Sequence, residues 1–180
     1  MKITDIRKFY EMPHYNVQQP WMNLEDVFKK WDEDKGKIKG ALGVNLDPDF
    51  QRGHVWDEAR QIAYIEYCLQ GGGYSRTILW NHPGWMGSFE GEMVLVDGKQ
   101  RIEAAMKFVR NELPVFGGTY LNDFDHPRRL LLSPNCEFVF GVNSLKTRRE
   151  VLEWYLQLNG GGVVHTQEEL DKVRRLLENE

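Results

Sequence analysis

The stretch EMVLVDGKQRIEAAMKFV, residues 92–109, changes its period part-way along. Met93 to Val96 is a short apolar run rich in valine, the pattern of a buried strand. From Lys99 onward, Ile102, Ala105, Met106 and Val109 recur at i, i+3, i+4 and i+7, one face of a helix. Asp97-Gly98 is the seam, and a strand that passes straight into a helix predicts a fold that mixes the two. The seam also bears on chemistry. A glycine there permits positive φ or a close approach, and the helix start behind it carries unpaired N–H groups and about half a positive charge. Arg101 in the first turn offers a fork for phosphate and Lys99 adds a point charge. The same residues also admit a purely local reading. Asp97 and Gln100 have the spacing of a capping box, and Arg101 has acids nearby to pair with.

Outward from this seam, the pattern alternates between helix and strand. WMNLEDVFKKW (21–31) sets Leu24, Val27, Phe28 and Trp31 on one helical face. Residues 1–20 read as irregular, bounded by Pro13 and Pro20, and DEDKGKIKG (32–40) reads as a solvated charged loop. Asp57 to Gln70 predicts a helix with Asp57 as N-cap and Gly71-Gly72-Gly73 as its stop. RTILWN and EMVLVD are strands joined by a turn-rich loop, and CEFVFGV (136–142) is a third. Helices over 147–158 and 166–177 finish the chain. The expected fold is a compact α+β domain, a small mixed sheet with surrounding helices.

Composition narrows the function classes. The 180 residues suit one domain, with 41% apolar and 28% charged residues, an ordinary globular balance. A net charge of -4 argues against a nucleic-acid coat over the whole surface while leaving room for a local basic groove. MKITDIRKFYEM has no apolar core of a signal peptide, and no run approaches the roughly 18 apolar residues of a membrane helix. Cys68 and Cys136 sit in apolar segments far apart and without zinc-ligand partners, so they read as buried free thiols of a reducing, cytoplasmic compartment.

Two further clusters carry polar groups suited to phosphate. In DPDFQRGHVWDEARQ (47–61), Gln51 and Arg52 offer paired hydrogen-bonding forks between Phe50 and Trp56; alternatively Arg52 pairs with Asp49 or Asp57 in an ordinary loop. In LQLNGGGVVHTQEEL (156–170), Asn159 and Gly160-Gly161-Gly162 form either a helix stop or a backbone nest, and Thr166 with Glu169 fits a capping box.

Taken together, the three clusters resemble the ParB/sulfiredoxin-like superfamily, nearest the branch at the N-terminus of GmrSD-type modification-dependent restriction systems. Its Gln-Arg-x-Tyr-Val-Trp motif is matched by Gln51 to Trp56, and its Asp-Gly-Gln-Gln-Arg motif by Asp97 to Arg101. Its Asn-x-Gly-Gly turn and later Glu-Leu pair are matched by Asn159 to Gly162 and by Glu169-Leu170. The resemblance implies an arm and helix over residues 1–43 and a nucleotide-binding domain over 44–180. It implies that Gly98, Lys99, Gln100, Arg101, Asn159 and Gly161 bind a nucleoside triphosphate, base unspecified, with Mg2+. Gln51, Arg52, Asp97 and Arg101 would be the catalytic set. The sequence departs from the pattern at His54, usually tyrosine, and at Lys99, usually glutamine. Lys99 also fills the slot of the sulfiredoxin cysteine, which argues against sulfinic-acid repair.

Three functions follow as expectations. The first is a stand-alone NTP-binding domain, with or without NTP hydrolysis, of a phage–host or restriction-type system. The second is a metal-dependent DNA nuclease using Arg52, Lys99, Arg101, Arg128 and Arg129 on a phosphate backbone. The third is a non-catalytic regulator or anti-restriction module that binds DNA or a host protein.

Overall fold

The computed structural model describes Pro13 and residues 15–34, 43–51, 56–159 and 167–178, the side chains of 167–170 excepted. Arg52, Gly53, His54, Val55 and Gly160 to Thr166 lie outside the described residues, and with them the expected roles of Arg52 and Gly161 and the Thr166–Glu169 box.

In chain order the elements are β1 (Tyr15–Pro20), α1 (Leu24–Asp34), β2 (Gly43–Asn45), α2 (Glu58–Leu69), β3 (Thr77–Asn81), β4 (Glu92–Asp97) and α3 (Lys99–Val109). Then follow α4 (Pro127–Leu131), β5 (Glu137–Asn143), α5 (Arg148–Asn159) and α6 (Gln167–Glu178). Five strands form one mixed sheet in the order β1-β5-β3-β4-β2. β3 pairs antiparallel with β4 and parallel with β5, while β2 lies parallel to β4. The α+β expectation holds.

Alternation along the strands separates two cores. Met93 and Leu95 of β4, with Ile78 and Trp80 of β3, face a layer built from α1, α2 and α3 that includes Phe28, Ile65, Ile102 and Phe108. Val96 and Leu79 face the other side, where Phe50 packs with Leu152, Trp154 and Tyr155 of α5 and Val173 of α6. Because both faces are covered, the central strands read as near-continuous apolar runs rather than alternating ones.

The N-terminal segment corrects one expectation. Residues 15–20 are not irregular: they pair antiparallel with β5, from Tyr15 opposite Val142 to Pro20 opposite Glu137. As an edge strand, YNVQQP needs no apolar alternation and tolerates a terminal proline, so periodicity gave no sign of it. Trp21, Leu24 and Phe28 then fill the same core as β3 and β4, which makes residues 15–34 part of the one sheet-and-core unit. No helix among the described residues is long and apolar enough to cross a membrane. Cys68 and Cys136 are both buried free thiols, and burial pushes the Cys136 thiol up to about 12.

Candidate functional site

Gly98 has the left-handed φ of 111° and occupies the N-cap of α3. A Cβ built on it would lie 2.5 Å from Ile78 Cδ1, so both backbone conformation and packing against β3 select glycine here. The consequence is a helix that begins without a capping side chain. The first rung of α3 is Ile102 N–H to the Gly98 carbonyl at 3.0 Å. Two other helices begin differently. Asp57 accepts from Arg60 N–H at 2.8 Å at the start of α2. Before α5, Thr147 Oγ1 accepts from Glu150 N–H at 3.2 Å, and Glu150 Oε2 accepts from Thr147 N–H at 2.9 Å. The expected Asp97–Gln100 box does not form, because the left-handed Gly98 takes the cap position. Gln100 Oε1 instead accepts from the Trp56 N–H at 2.9 Å.

The charged groups of this turn have partners. Arg101 pairs with Asp97 and donates through Nη1 to the carbonyls of Thr77 at 2.6 Å and Ser75 at 3.3 Å. It therefore joins the first turn of α3 to the start of β3. Lys99 Nζ lies 2.5 Å from Asp47 Oδ1; the lysine side chain is 15% exposed and the aspartate 74%. Gln51 is brought to β4, donating Nε2 to the Leu95 carbonyl at 2.5 Å. Asn159 donates within its own helix, to the Tyr155 carbonyl at 2.7 Å. Asp49 and Asp57, the acids expected to compete for Arg52, are engaged elsewhere: Asp49 with Arg148, Asp57 as the α2 cap.

No family model matches the chain, and no curated protein or solved structure does either.

Beside the α3 turn lies a feature that the sequence reading missed. A cleft of about 540 Å³ is lined by Trp56, Arg60, Ala63, Tyr64, Tyr67, Tyr74, Ser75 and Arg101. Four of these come from one stripe of the chain, since Trp56, Arg60, Tyr64 and Tyr67 are spaced i, i+4, i+8 and i+11 along and just before α2. That aromatic-and-arginine stripe was the available signal. The Arg60 guanidinium carbon sits 5.3 Å from the Trp56 ring centroid, within cation–π range. A smaller pocket of about 250 Å³ lies at the opposite end of β4, against Glu92 and Val94; Asp49 and Phe50 of the second cluster line it, but none of the expected nucleotide-binding or catalytic residues does.

Proposed function

We propose that the chain is a nucleoside triphosphate-binding domain whose ligand's phosphates lie at the start of α3. The observation that carries this reading is the glycine-led first turn of α3, without a capping side chain and set between Lys99 and Arg101. A phosphate there would accept from amides of that turn. Lys99 would turn from the exposed Asp47 to meet it. Arg101, held by Asp97 and two carbonyls, keeps the strand ends and the turn in register, which makes it a positioning residue. The ParB/sulfiredoxin-like resemblance of Asp97 to Arg101 supports the same reading.

Magnesium fits this place as a companion of the phosphates rather than in a protein cage. Asp47 and Asp97 are carboxylates beside the turn, and each is paired with a cation. No group of three metal-binding side chains occurs among the described residues. A bound ion would neutralise phosphate charge. Hydrolysis would further need an oriented water, and the amide of Gln51, which the resemblance puts in the catalytic set, already donates to Leu95. Binding is thus the first-order function, consistent with a domain that reports a nucleotide to DNA or to a host or restriction protein.

The test is calorimetric titration of ATP, CTP, GTP and UTP with magnesium into wild type and Lys99→Met. Methionine keeps the packed stem and removes the charge. Wild type should bind at least one nucleotide, and the variant should lose about tenfold in affinity, the scale of one charged hydrogen bond. Absence of binding to all four, or equal affinity in the variant, would remove the reading. Phosphate release measured on the same samples separates binding from turnover.

A further inference from the structure

We infer that the aromatic cleft beside α3 is a stacking site for the base of that nucleotide. The inference rests on the phosphate assignment above and adds a second, independent set of contacts to it. The cleft and the turn are mechanically joined. Arg101 belongs to both, and the Trp56 backbone is fixed from either side: its N–H donates to Gln100 Oε1 at 2.9 Å, and its carbonyl accepts from Gln61 Nε2 at 3.3 Å. A ligand with its phosphates on the turn therefore has the cleft beside it.

The lining selects the chemistry. Flat rings offer stacking faces that any base can use. Tyr67 is held in place, because Gly72 has no side chain: a Cβ there would lie 2.4 Å from the Tyr67 ring. Tyr67 Oη in turn accepts from the Tyr74 N–H at 3.3 Å, and the Tyr74 side chain stands fully exposed at the mouth. Arg60 contributes a positive charge and Arg101 a second one that is paired with Asp97, and among the described residues no carboxylate lines the cleft. That combination repels the quaternary ammonium ligands that aromatic cages otherwise take and favours a planar aromatic group carried on an anion. The volume, about 540 Å³, is in the range of small-ligand sites. A base with its attached phosphates has both properties in one molecule.

The experiment compares the affinity of each NTP with that of inorganic tripolyphosphate, both with magnesium, in wild type, Tyr67→Leu/Tyr74→Ala and Tyr67→Phe. Stacking of one base predicts that the best NTP binds wild type roughly tenfold tighter than tripolyphosphate. In the double variant the two affinities converge, whereas Tyr67→Phe, which keeps the ring, retains most of the difference. Melting temperatures within about 4 °C of wild type, the shift expected for about 1 kcal/mol or less, certify the folded state of each variant. Equal affinities for NTP and tripolyphosphate in wild type would overturn the base site while leaving the phosphate site standing. So would an NTP advantage that survives loss of both tyrosines. Failure of both ligands to bind would overturn the phosphate site and the base site with it. Tyrosine-dependent binding of a single-stranded oligonucleotide without binding of any mononucleotide would also overturn the inference, in favour of a strand-binding groove.

Discussion

Arg101 donates to Asp97, Ser75 and Thr77, and so fastens the first turn of α3 to the entrance of β3. Its side chain is only 16% exposed, although its two carbonyl partners and Asp97 lie towards the surface. Replacing it by alanine leaves the Thr77 carbonyl without this donor and Asp97 without its cation. We expect Arg101→Ala to lower stability by about 2 kcal/mol, the scale for hydrogen bonds to charged groups. Arg101→Lys should fall between, because one ammonium can keep the Asp97 pair but cannot span the guanidinium fork. Urea denaturation of the three proteins checks this; an unchanged midpoint for Arg101→Ala would make the bonds energetically idle. A loss of nucleotide binding in Arg101→Ala must therefore be read beside its stability, whereas Lys99→Met isolates the charge. Gly98 was legible in the sequence, since a glycine at a strand–helix seam asks for positive φ or a close approach, and it has both. The local pairing of Arg101 with a neighbouring acid was legible too, and Asp97 supplies it; the carbonyl partners of Arg101 and the partner of Lys99 were not, because Ser75, Thr77 and Asp47 come from distant parts of the chain.

Element boundaries follow the same physics of local against distant information. The helices α1, α2, α3, α5 and α6 announce themselves through 3.6-residue periodicity, and β3, β4 and β5 through apolar runs long enough to be buried on both faces. β1 and β2 lie at the two edges of the sheet, and β2 is only three residues long. Their strand character comes from the neighbour they pair with, which no local pattern records. The short α4, PRRLL, is likewise too brief for a period to show. Capping divides the helices further. Asp57 and Thr147 each satisfy an N-terminal amide of their helix, so Asp57→Ala and Thr147→Ala should each cost about 1 kcal/mol. Thr147 is far from the proposed site along β4's opposite end, and its variant should titrate with nucleotide like wild type. Thermal melts with and without ligand read both quantities. A melting temperature unmoved in either variant would show that water replaces the lost cap.

At the scale of the whole molecule, the loop that joins β3 to β4 seats His82 in the interior. The residue is 0% exposed, its backbone N–H donates to the Asn143 carbonyl at 2.9 Å, and its ring lies 5.9 Å from Trp85. Neither ring nitrogen meets a hydrogen-bond partner among the described residues. Burial holds the imidazole below its ordinary value, with the Lys146 charge acting in the same direction and the backbone of Gly91 and of His82 itself acting more weakly against it. The folded chain thus binds fewer protons at this site than the unfolded chain does. Stability must therefore rise with pH between the depressed folded value and the ordinary value of about 6.5, and fall as pH drops through that window. One proton sets a limiting slope of about 1.4 kcal/mol per pH unit. Asp49, beside Arg148, is held below the usual carboxylate range, as is Glu150 by the Thr147 backbone and hydroxyl, and their pairings are lost only at lower pH, near or below 4. Melting wild type and His82→Leu at half-unit steps from pH 8 to pH 5 separates the two effects. Wild type should lose stability from about pH 6.5 downward, while the leucine variant, with no proton to take up, should stay nearly level to pH 5. A variant that falls as steeply as wild type would assign the acid sensitivity to the carboxylate pairs or the remaining histidines, and would mean that His82 takes up its proton equally in the folded and the unfolded chain.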